Sequence, residues 1–376
     1  MKVWVIGRNY PESSNQMSGS FELEQARMLA KRGIEVSYLT TMFHLTKKIK
    51  GRGYKSWQDG DLTIFSYSTM FPPRIYPLYF CSLRAAIWRK FLNKVEMETG
   101  LPDVIHLHYP IMLLLADTLK EYQKKGVKIV VTEHWTKVLK KQLDPCELAQ
   151  QKKYAEFVDQ YICVGKPLKN AVLELTKSNR EILVVPNIVN SVFCPSEKLH
   201  KGFVFVAVGR LVPIKQFDKI ICAFSEQFKE NSQAKLIIVG GGEEENKLKT
   251  LVKEKKIEKQ IKLTGSLNRK DTANIVANAD CLVCFSKFET FGVPIIEAWA
   301  CGIPVIASTA CAVMEKFDNK LGREVAYEDE LALKEAMSYM FKNKDEFDKK
   351  YILNYATTHF SEEVISNRLI DIYQMN

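Results

Sequence analysis

Two stretches of this 376-residue chain carry residue types suited to holding a phosphorylated, hydroxyl-rich ligand. The first runs Ser286-Lys-Phe-Glu-Thr-Phe-Gly-Val-Pro-Ile-Ile-Glu-Ala-Trp-Ala-Cys-Gly-Ile-Pro-Val305. Glu289 precedes a glycine turn at Gly292, Pro294 suits the first turn of a helix, and Glu297 falls inside that helix. Amides ahead of a helix lack intrahelical acceptors and attract anions. One carboxylate before the turn and another within the helix can bracket a diphosphate-linked sugar. The carboxylates accept hydroxyl hydrogen bonds while the free amides at the helix start take the phosphate. The same spacing also describes two solvated glutamates beside an ordinary helix start. The second stretch is Val208-Gly-Arg-Leu-Val-Pro-Ile-Lys-Gln-Phe217, which ends an apolar run and leads into a helical one. Arg210 and Lys215 thereby fall at a strand's carboxyl edge, where doubly wound sheets hold ligands. Two cations there can neutralise a pyrophosphate leaving group, although an arginine and a lysine on a loop also occur as plain surface charge.

Other motifs point away from chemistry. Gly240-Gly-Gly242 lacks the spacing of a dinucleotide fingerprint, and Glu243, Glu244 and Glu245 follow it directly. Three carboxylates at a helix start complement the dipole and repel phosphate, so a tight structural turn is expected. Asp59-Gly-Asp61 is a hairpin-turn signature before a strand at Leu62, and no metal is expected on it. Cys281 and Cys284 form a Cys-x-x-Cys within a run that reads as a buried strand, with no second pair to close a zinc site. His134 follows an apolar run beside Glu133, at another carboxyl edge, and is a candidate site residue, although a lone histidine is usually structural. His106 and His108 alternate within a strand and read as mainly structural.

The elements that would position these residues alternate short β-rich runs with helical stretches in both halves, the pattern of parallel sheets wound with helices. In the first half strands are predicted at Val3–Ile6, Glu35–Leu39, Leu62–Ser66, Val104–Leu107, Lys128–Val131, Tyr161–Val164 and Ile182–Val185. A helix from Phe21 stops at Gly33. The second half restarts with strands at Phe203–Val208, Lys235–Val239, Ile261–Leu263, Leu282–Phe285 and Val305–Ala307, and a helix at Lys215–Phe228. An α/β fold of two Rossmann-like domains facing a cleft follows. Its parts are residues 1–185, a connection at 186–202, residues 203–350, and a helical tail at 351–376 expected to pack back on the first domain.

The totals agree with a two-domain globular chain: 46% hydrophobic and 26% charged residues, at a length one core does not usually support. The opening Met1-Lys-Val-Trp-Val-Ile-Gly7 is too short for a signal sequence, and no apolar run reaches the roughly 18 residues of a spanning helix. Nine scattered cysteines, an odd number, fit reduced thiols and a cytoplasmic location. The net charge of +10 is unevenly placed: residues 1–185 hold 28 Lys and Arg against 18 Asp and Glu, and the remainder balances. The first half is therefore expected to face something anionic.

Taken together, these residues resemble the retaining glycosyltransferases of family 4, whose fold is the two-domain GT-B arrangement. The resemblance runs essentially end to end. Its specific parts are Gly209-Arg210 through Lys215, the triple-glycine turn, Leu263-Thr-Gly265 and the two glutamates Glu289 and Glu297, eight positions apart. Less specific matches are Met17-Ser-Gly-Ser20, Asp103-Val-Ile-His-Leu-His108 and Thr132-Glu-His134. The resemblance implies that Arg210 and Lys215 bind the donor diphosphate, Glu289 the donor sugar, Glu297 the ribose, and the Phe291 and Gly292 amides the phosphate. It implies that Gly19 lets the backbone approach the donor and that His134 lies near the transferring sugar. It also implies sugar transfer with retention, without metal or other cofactor, in bacterial surface-glycan assembly. The chain departs from the pattern at Asn187-Ile-Val-Asn190, at Cys311-Ala312 where a glycine pair is usual, and at Gly19, which stands without a second glycine.

The expected partners are a nucleotide-sugar donor and a glycan or polyprenyl-diphosphate-linked acceptor. Thr46-Lys-Lys-Ile-Lys-Gly-Arg-Gly-Tyr54 is basic, and Phe71 to Arg84 is aromatic and apolar with arginines. Together they suit peripheral docking on an anionic membrane; a mobile surface loop and a solvated helix would read the same way. Rival readings are a nucleotide-sugar epimerase of the same fold and a non-catalytic protein that binds an anionic polymer. Against nucleic acid, the chain has no interleaved aromatic ribonucleoprotein motif and no zinc finger.

Overall fold

The computed structural model describes residues 1–11, 19–44, 53–70, 77–110 and 115–375. It divides into two compact units, Met1–Pro186 with Ile365–Asn376, and Asn187–Val364.

The first unit is built on strands β1 (Lys2–Ile6), β2 (Glu35–His44), β3 (Gly53–Asp59), β4 (Leu62–Met70), β5 (Val104–His108), β6 (Lys128–Glu133), β7 (Gln160–Cys163) and β8 (Leu183–Val184). Its helices are α1 (Ser20–Lys31), α2 (Pro77–Thr99), α3 (Ala116–Lys124), the single turn α4 (Thr136–Leu139), α5 (Pro145–Phe157) and α6 (Lys166–Thr176). The sheet order is β3-β4-β2-β1-β5-β6-β7-β8, parallel except for β3. Strand β3 was not foreseen; it closes against β4 through Gly60-Asp61, with Asp59 opposite Leu62. The hairpin signature at Asp59-Gly-Asp61 is thus a two-residue turn, and Gly60 takes the positive φ of 58° that such turns require. Asp59 accepts hydrogen bonds from Arg27 at 2.6 Å and Tyr10 at 3.1 Å. Local chemistry fixes individual starts: Asp144 and Glu147 form a reciprocal capping box at α5, with Pro145 in its first turn.

The second unit carries β9 (Phe203–Val208), α7 (Phe217–Phe228), β10 (Ala234–Val239), α8 (Glu245–Glu254), β11 (Ile261–Leu263) and α9 (Arg269–Ala277). It continues through β12 (Cys281–Cys284), α10 (Val293–Ala300), β13 (Val305–Ser308), β14 (Gly322–Val325), α11 (Glu330–Lys342) and α12 (Lys349–Phe360). Its six strands are all parallel in the order β11-β10-β9-β12-β13-β14. The central strands β9, β12 and β13 read as near-continuous apolar runs because both faces are covered. Phe205, Phe224 and Phe228 form one of the buried clusters beneath α7.

The last helix, α13 (Glu362–Gln374), crosses the division between units. The tail expected at 351–376 is therefore split. Within α12, Phe360 stacks on Trp299 at 6.1 Å and Tyr355 meets the same indole edge-on at 5.5 Å, which keeps this helix in the second unit. From Ile365 onward the residues belong to the first unit, where Tyr373 bonds His106. The connection expected at 186–202 also groups with the second unit from Asn187, and Val189 donates its amide to the Phe360 carbonyl at 2.9 Å.

Candidate active site

In the second unit the strand order reverses between β9 and β12, and the loops leaving their carboxyl ends flank the crevice where open α/β sheets bind ligands. The loop after β9 carries Arg210 and Lys215; the loop after β12 carries Glu289. The expected helix Lys215–Phe228 begins later than foreseen. Pro213–Lys215 forms one 3₁₀ turn, Gln216 turns left-handed at φ 53°, and α7 starts at Phe217. Gln216 holds this shape by donating from Nε2 to the carbonyls of Phe285 and Tyr327, both at 2.9 Å. The Lys287 amide donates to the Ile214 carbonyl at 2.8 Å, so the two loops are joined by backbone as well.

This joining brings the Lys215 ammonium onto the Glu289 carboxylate as a hydrogen-bonded ion pair. Burial works against the lysine's charge, but the carboxylate outweighs it and raises the Lys215 pKa above its usual value. Lys215 is thus held as a cation. Arg210 is exposed, and its side chain makes no hydrogen bond or ion pair among the described residues. The triple glycine lies against this loop. A Cβ on Gly240 would sit 1.8 Å from the Gly209 carbonyl oxygen, and one on Gly242 would sit 2.3 Å from that of Leu211. Their smallness serves close backbone packing under the Arg210 loop, as the structural reading expected.

Gly292 caps α10 with φ 107°, a left-handed value that disfavours any side chain. The turn is braced from β13's loop: Val313 donates its amide to the Phe291 carbonyl at 3.0 Å, and Glu289 forms an isolated parallel bridge with Cys311. The Gly292 and Val293 amides stand ahead of the helix's own hydrogen bonds, the first of which is Ile295 to Gly292. Phe291 itself is buried, its ring edge-on to that of Phe360 with centres 6.0 Å apart. Glu297 is buried in α10 and accepts from Arg269 at 3.1 Å. Sequence reasoning missed Arg269, 28 residues upstream. It also missed that Cys284 and Cys311 lie together, with Sγ atoms 3.8 Å apart.

The first unit has its own reversal between β1 and β5. Arg8 follows β1 and Tyr109 follows β5, and the guanidinium carbon lies 3.5 Å above the tyrosine ring. Arg8 Nε also donates to the buried Glu22 at 2.6 Å. Tyr109 takes φ 53°, uncommon for a non-glycine residue, and stacks on His134 with ring centres 4.7 Å apart. His134 lies just beyond the end of β6, buried, with Nε2 3.0 Å from Nδ1 of His108. Burial lowers the pKa of His106, His108 and His134 well below the usual imidazole value, so all three are neutral. Gly19 caps α1 at φ 85°, where a Cβ would sit 2.1 Å from the Asn9 carbonyl oxygen. That close backbone approach accounts for the glycine from within the chain.

The candidate residues thus sit in two sets: Arg210, Lys215, Glu289, Phe291, Gly292 and Glu297 in the second unit, and Gly19 and His134 in the first. Among the described residues no group of three His, Cys, Asp or Glu side chains is arranged to hold a metal ion. No helix among them is long and apolar enough to cross a membrane.

Comparison with known proteins assigns the geometry to a family. Residues 21–193 match the model of glycosyltransferase family 4, and residues 193–357 match that of glycosyl transferases group 1. N-acetyl-alpha-D-glucosaminyl L-malate synthase of Bacillus anthracis is 28% identical over 329 residues, spanning 84% of this chain and 81% of that protein. Sucrose-phosphate synthase of Thermosynechococcus elongatus superposes with a TM-score of 0.78 at 18% identity, covering 99% of this chain and 98% of that one. HepE of Anabaena, solved in complex with UDP, superposes with a TM-score of 0.73 at 16% identity over the whole of both chains. The two family models meet at residue 193 and leave only the ends unmatched, and the chain belongs to the family 4 glycosyltransferases of GT-B fold.

Proposed function

We propose that this glycosyltransferase moves a sugar from a uridine-diphosphate donor to a glycan or polyprenyl-diphosphate-linked acceptor, with retention of configuration and without a metal. The observation that carries the reading is the Lys215–Glu289 pair at the β9/β12 reversal, with Arg210 exposed on one loop and the α10 amides beside the other. Support for uridine comes from the UDP in the HepE structure, and support for an α-linked product from the name of the malate-linked relative.

In this mechanism the bond between the anomeric carbon and the diphosphate oxygen breaks, and negative charge develops on that oxygen. Lys215, Arg210 and the amides of Phe291 and Gly292 stabilise it, the task a metal performs in other transferases. Glu289 orients the sugar through its hydroxyls and holds Lys215 in place. Glu297 accepts from the ribose. The acceptor hydroxyl attacks the face the diphosphate leaves, and its proton passes to the departing phosphate oxygen. His134 serves a substrate oxygen at the first unit's reversal. The reading includes a cytoplasmic location in surface-glycan assembly and peripheral membrane contact through the basic first half. Its membrane segments, 46–54 and 71–84, lie mostly outside the described residues.

A thermal-shift series against nucleoside-diphosphate sugars, with and without EDTA, tests the donor and the metal together. The expected result is a rise in Tm with a UDP-sugar that EDTA does not remove, absent in Lys215→Ala. Glu289→Gln should bind the donor yet lose at least about 100-fold in turnover. An EDTA-abolished shift refutes metal independence; wild-type turnover in Glu289→Gln refutes the site. NMR of the fresh product decides retention against inversion.

A further inference from the structure

Strands β5 and β6 run in parallel with His108 opposite Thr132, and alternate residues of a strand share a face. His106 and His108 therefore stand beside Thr132 and His134. Tyr373 Oη meets His106 Nδ1 at 2.6 Å, and His106 Nε2 meets Thr132 Oγ1 at 2.7 Å. The His106 and His108 rings pack 4.3 Å apart, so His108 is clamped from behind. Its Nδ1 then meets His134 Nε2 at 3.0 Å.

That last contact joins two ring nitrogens, so one of them carries a hydrogen and the other a lone pair. Two pairings satisfy it for neutral rings. In the first, His134 donates from Nε2, and His108 must keep its own hydrogen on Nε2. That atom is fully buried and has no hydrogen-bond partner among the described residues, so the pairing orphans an N–H inside the protein. In the second, His108 donates from Nδ1 and its Nε2 is a bare acceptor, the more tolerated kind of unsatisfied atom. His134 then accepts at Nε2 and holds its hydrogen on Nδ1, which makes no hydrogen bond among the described residues but, unlike His108 Nε2, is not fully buried, so this N–H is left open to a ligand or water rather than orphaned.

We propose that His108 is a positioning residue that donates Nδ1–H to Nε2 of His134 and so fixes His134 as the Nδ1–H tautomer, a neutral hydrogen-bond donor for a substrate oxygen. The proposal rests on the reading that His134 touches substrate, and it deepens that reading: His134 is a donor and not a general base, because its only basic nitrogen is occupied by His108. Arg8, ion-paired with the buried Glu22, lies 3.5 Å above the Tyr109 ring that stacks on His134 and closes the same column.

The test is a long-range ¹H–¹⁵N correlation on full-length protein labelled at histidine, with His134 assigned as the signal lost in His134→Gln. The expected pattern is a protonated Nδ1 and bare Nε2 on His134 from pH 6 to 8. A protonated Nε2 on wild-type His134 overturns the proposal, whatever the fate of any variant at position 108. His108→Phe, checked for native circular dichroism, should release His134 into a mixture of tautomers and lower kcat by about ten-fold. His108→Asn, which can still present an N–H, should recover part of both effects. A folded His108→Phe with the wild-type tautomer also overturns the proposal. If the tautomer is as expected but His134→Gln transfers sugar at the wild-type rate, the coupling stands and the substrate contact of His134 falls.

Discussion

Substituting Glu133 by glutamine should flatten the pH dependence of the first unit's stability. Glu133 ends β6 with its side chain wholly buried. Its Oε1 accepts from the amides of His134 and Trp135, both at 2.9 Å, while Oε2 has no hydrogen-bond partner among the described residues. Burial pushes the carboxyl pKa up from 4.5 to about 7, the two amides and Arg8 only partly opposing it. Between those values the folded chain keeps a proton that the unfolded chain has released. The contribution is therefore complete below about pH 4.5 and is lost as pH rises through 7. A displacement from 4.5 to about 7 corresponds to roughly 3 kcal/mol. For a unit of about 200 residues this equals roughly 6 to 12 °C in Tm. Glutamine can still accept both amide hydrogens and does not titrate. Its buried NH₂ adds a cost of about 1–3 kcal/mol that is the same at every pH, so slopes rather than absolute values carry the comparison. Thermal unfolding at pH 5, 6, 7 and 8 and constant ionic strength measures both proteins. The wild type should lose stability relative to Glu133→Gln across this range. Parallel curves would refute the buried, protonated carboxyl.

Gly240→Ala should destabilise the second unit by about 3 kcal/mol or more, because φ 144° and a Cβ 1.8 Å from the Gly209 oxygen leave no relaxed position; a wild-type Tm would refute the packing role. Charge reversal at Lys47, Lys48 and Arg52, which lie outside the described residues, should weaken sedimentation with anionic vesicles by at least about 100-fold, at roughly 1 kcal/mol per charge; unchanged sedimentation would remove the membrane contact.

The core strands were legible because each is a short apolar run between turn signals, and Phe203–Val208 and Ile261–Leu263 match their predicted limits. Strand β3 was not, since Gly53–Asp59 alternates at an exposed edge and carries Lys55, Gln58 and Asp59. Strand β14, with Arg323 and Glu324 at its centre, hid for the same reason. The second unit's candidate residues could be picked by type, but not by partner. Lys215 and Glu289 stand 74 positions apart, and only the strand order puts their loops side by side. Glu297 was assigned to a ribose without sight of Arg269, because no periodicity links α9 to α10. His106 and His108 were read as structural from their alternation; what alternation could not show is that the neighbouring strand supplies Thr132 and His134 to the same face.

The split of α13 has a consequence for synthesis. The first unit is interrupted by the whole of the second, so its sheet emerges from the ribosome long before the segment from Ile365 that belongs with it. At about 5–20 residues per second, the wait between Pro186 and Tyr373 lasts roughly 10 to 40 s. Throughout that interval His106 lacks its Nδ1 partner, and the strand that carries His108 lacks its backing. The second unit is continuous in sequence and can close during the same interval. The first unit is therefore completed only after the whole of the second has been made, and its histidine row is set only when α13 arrives.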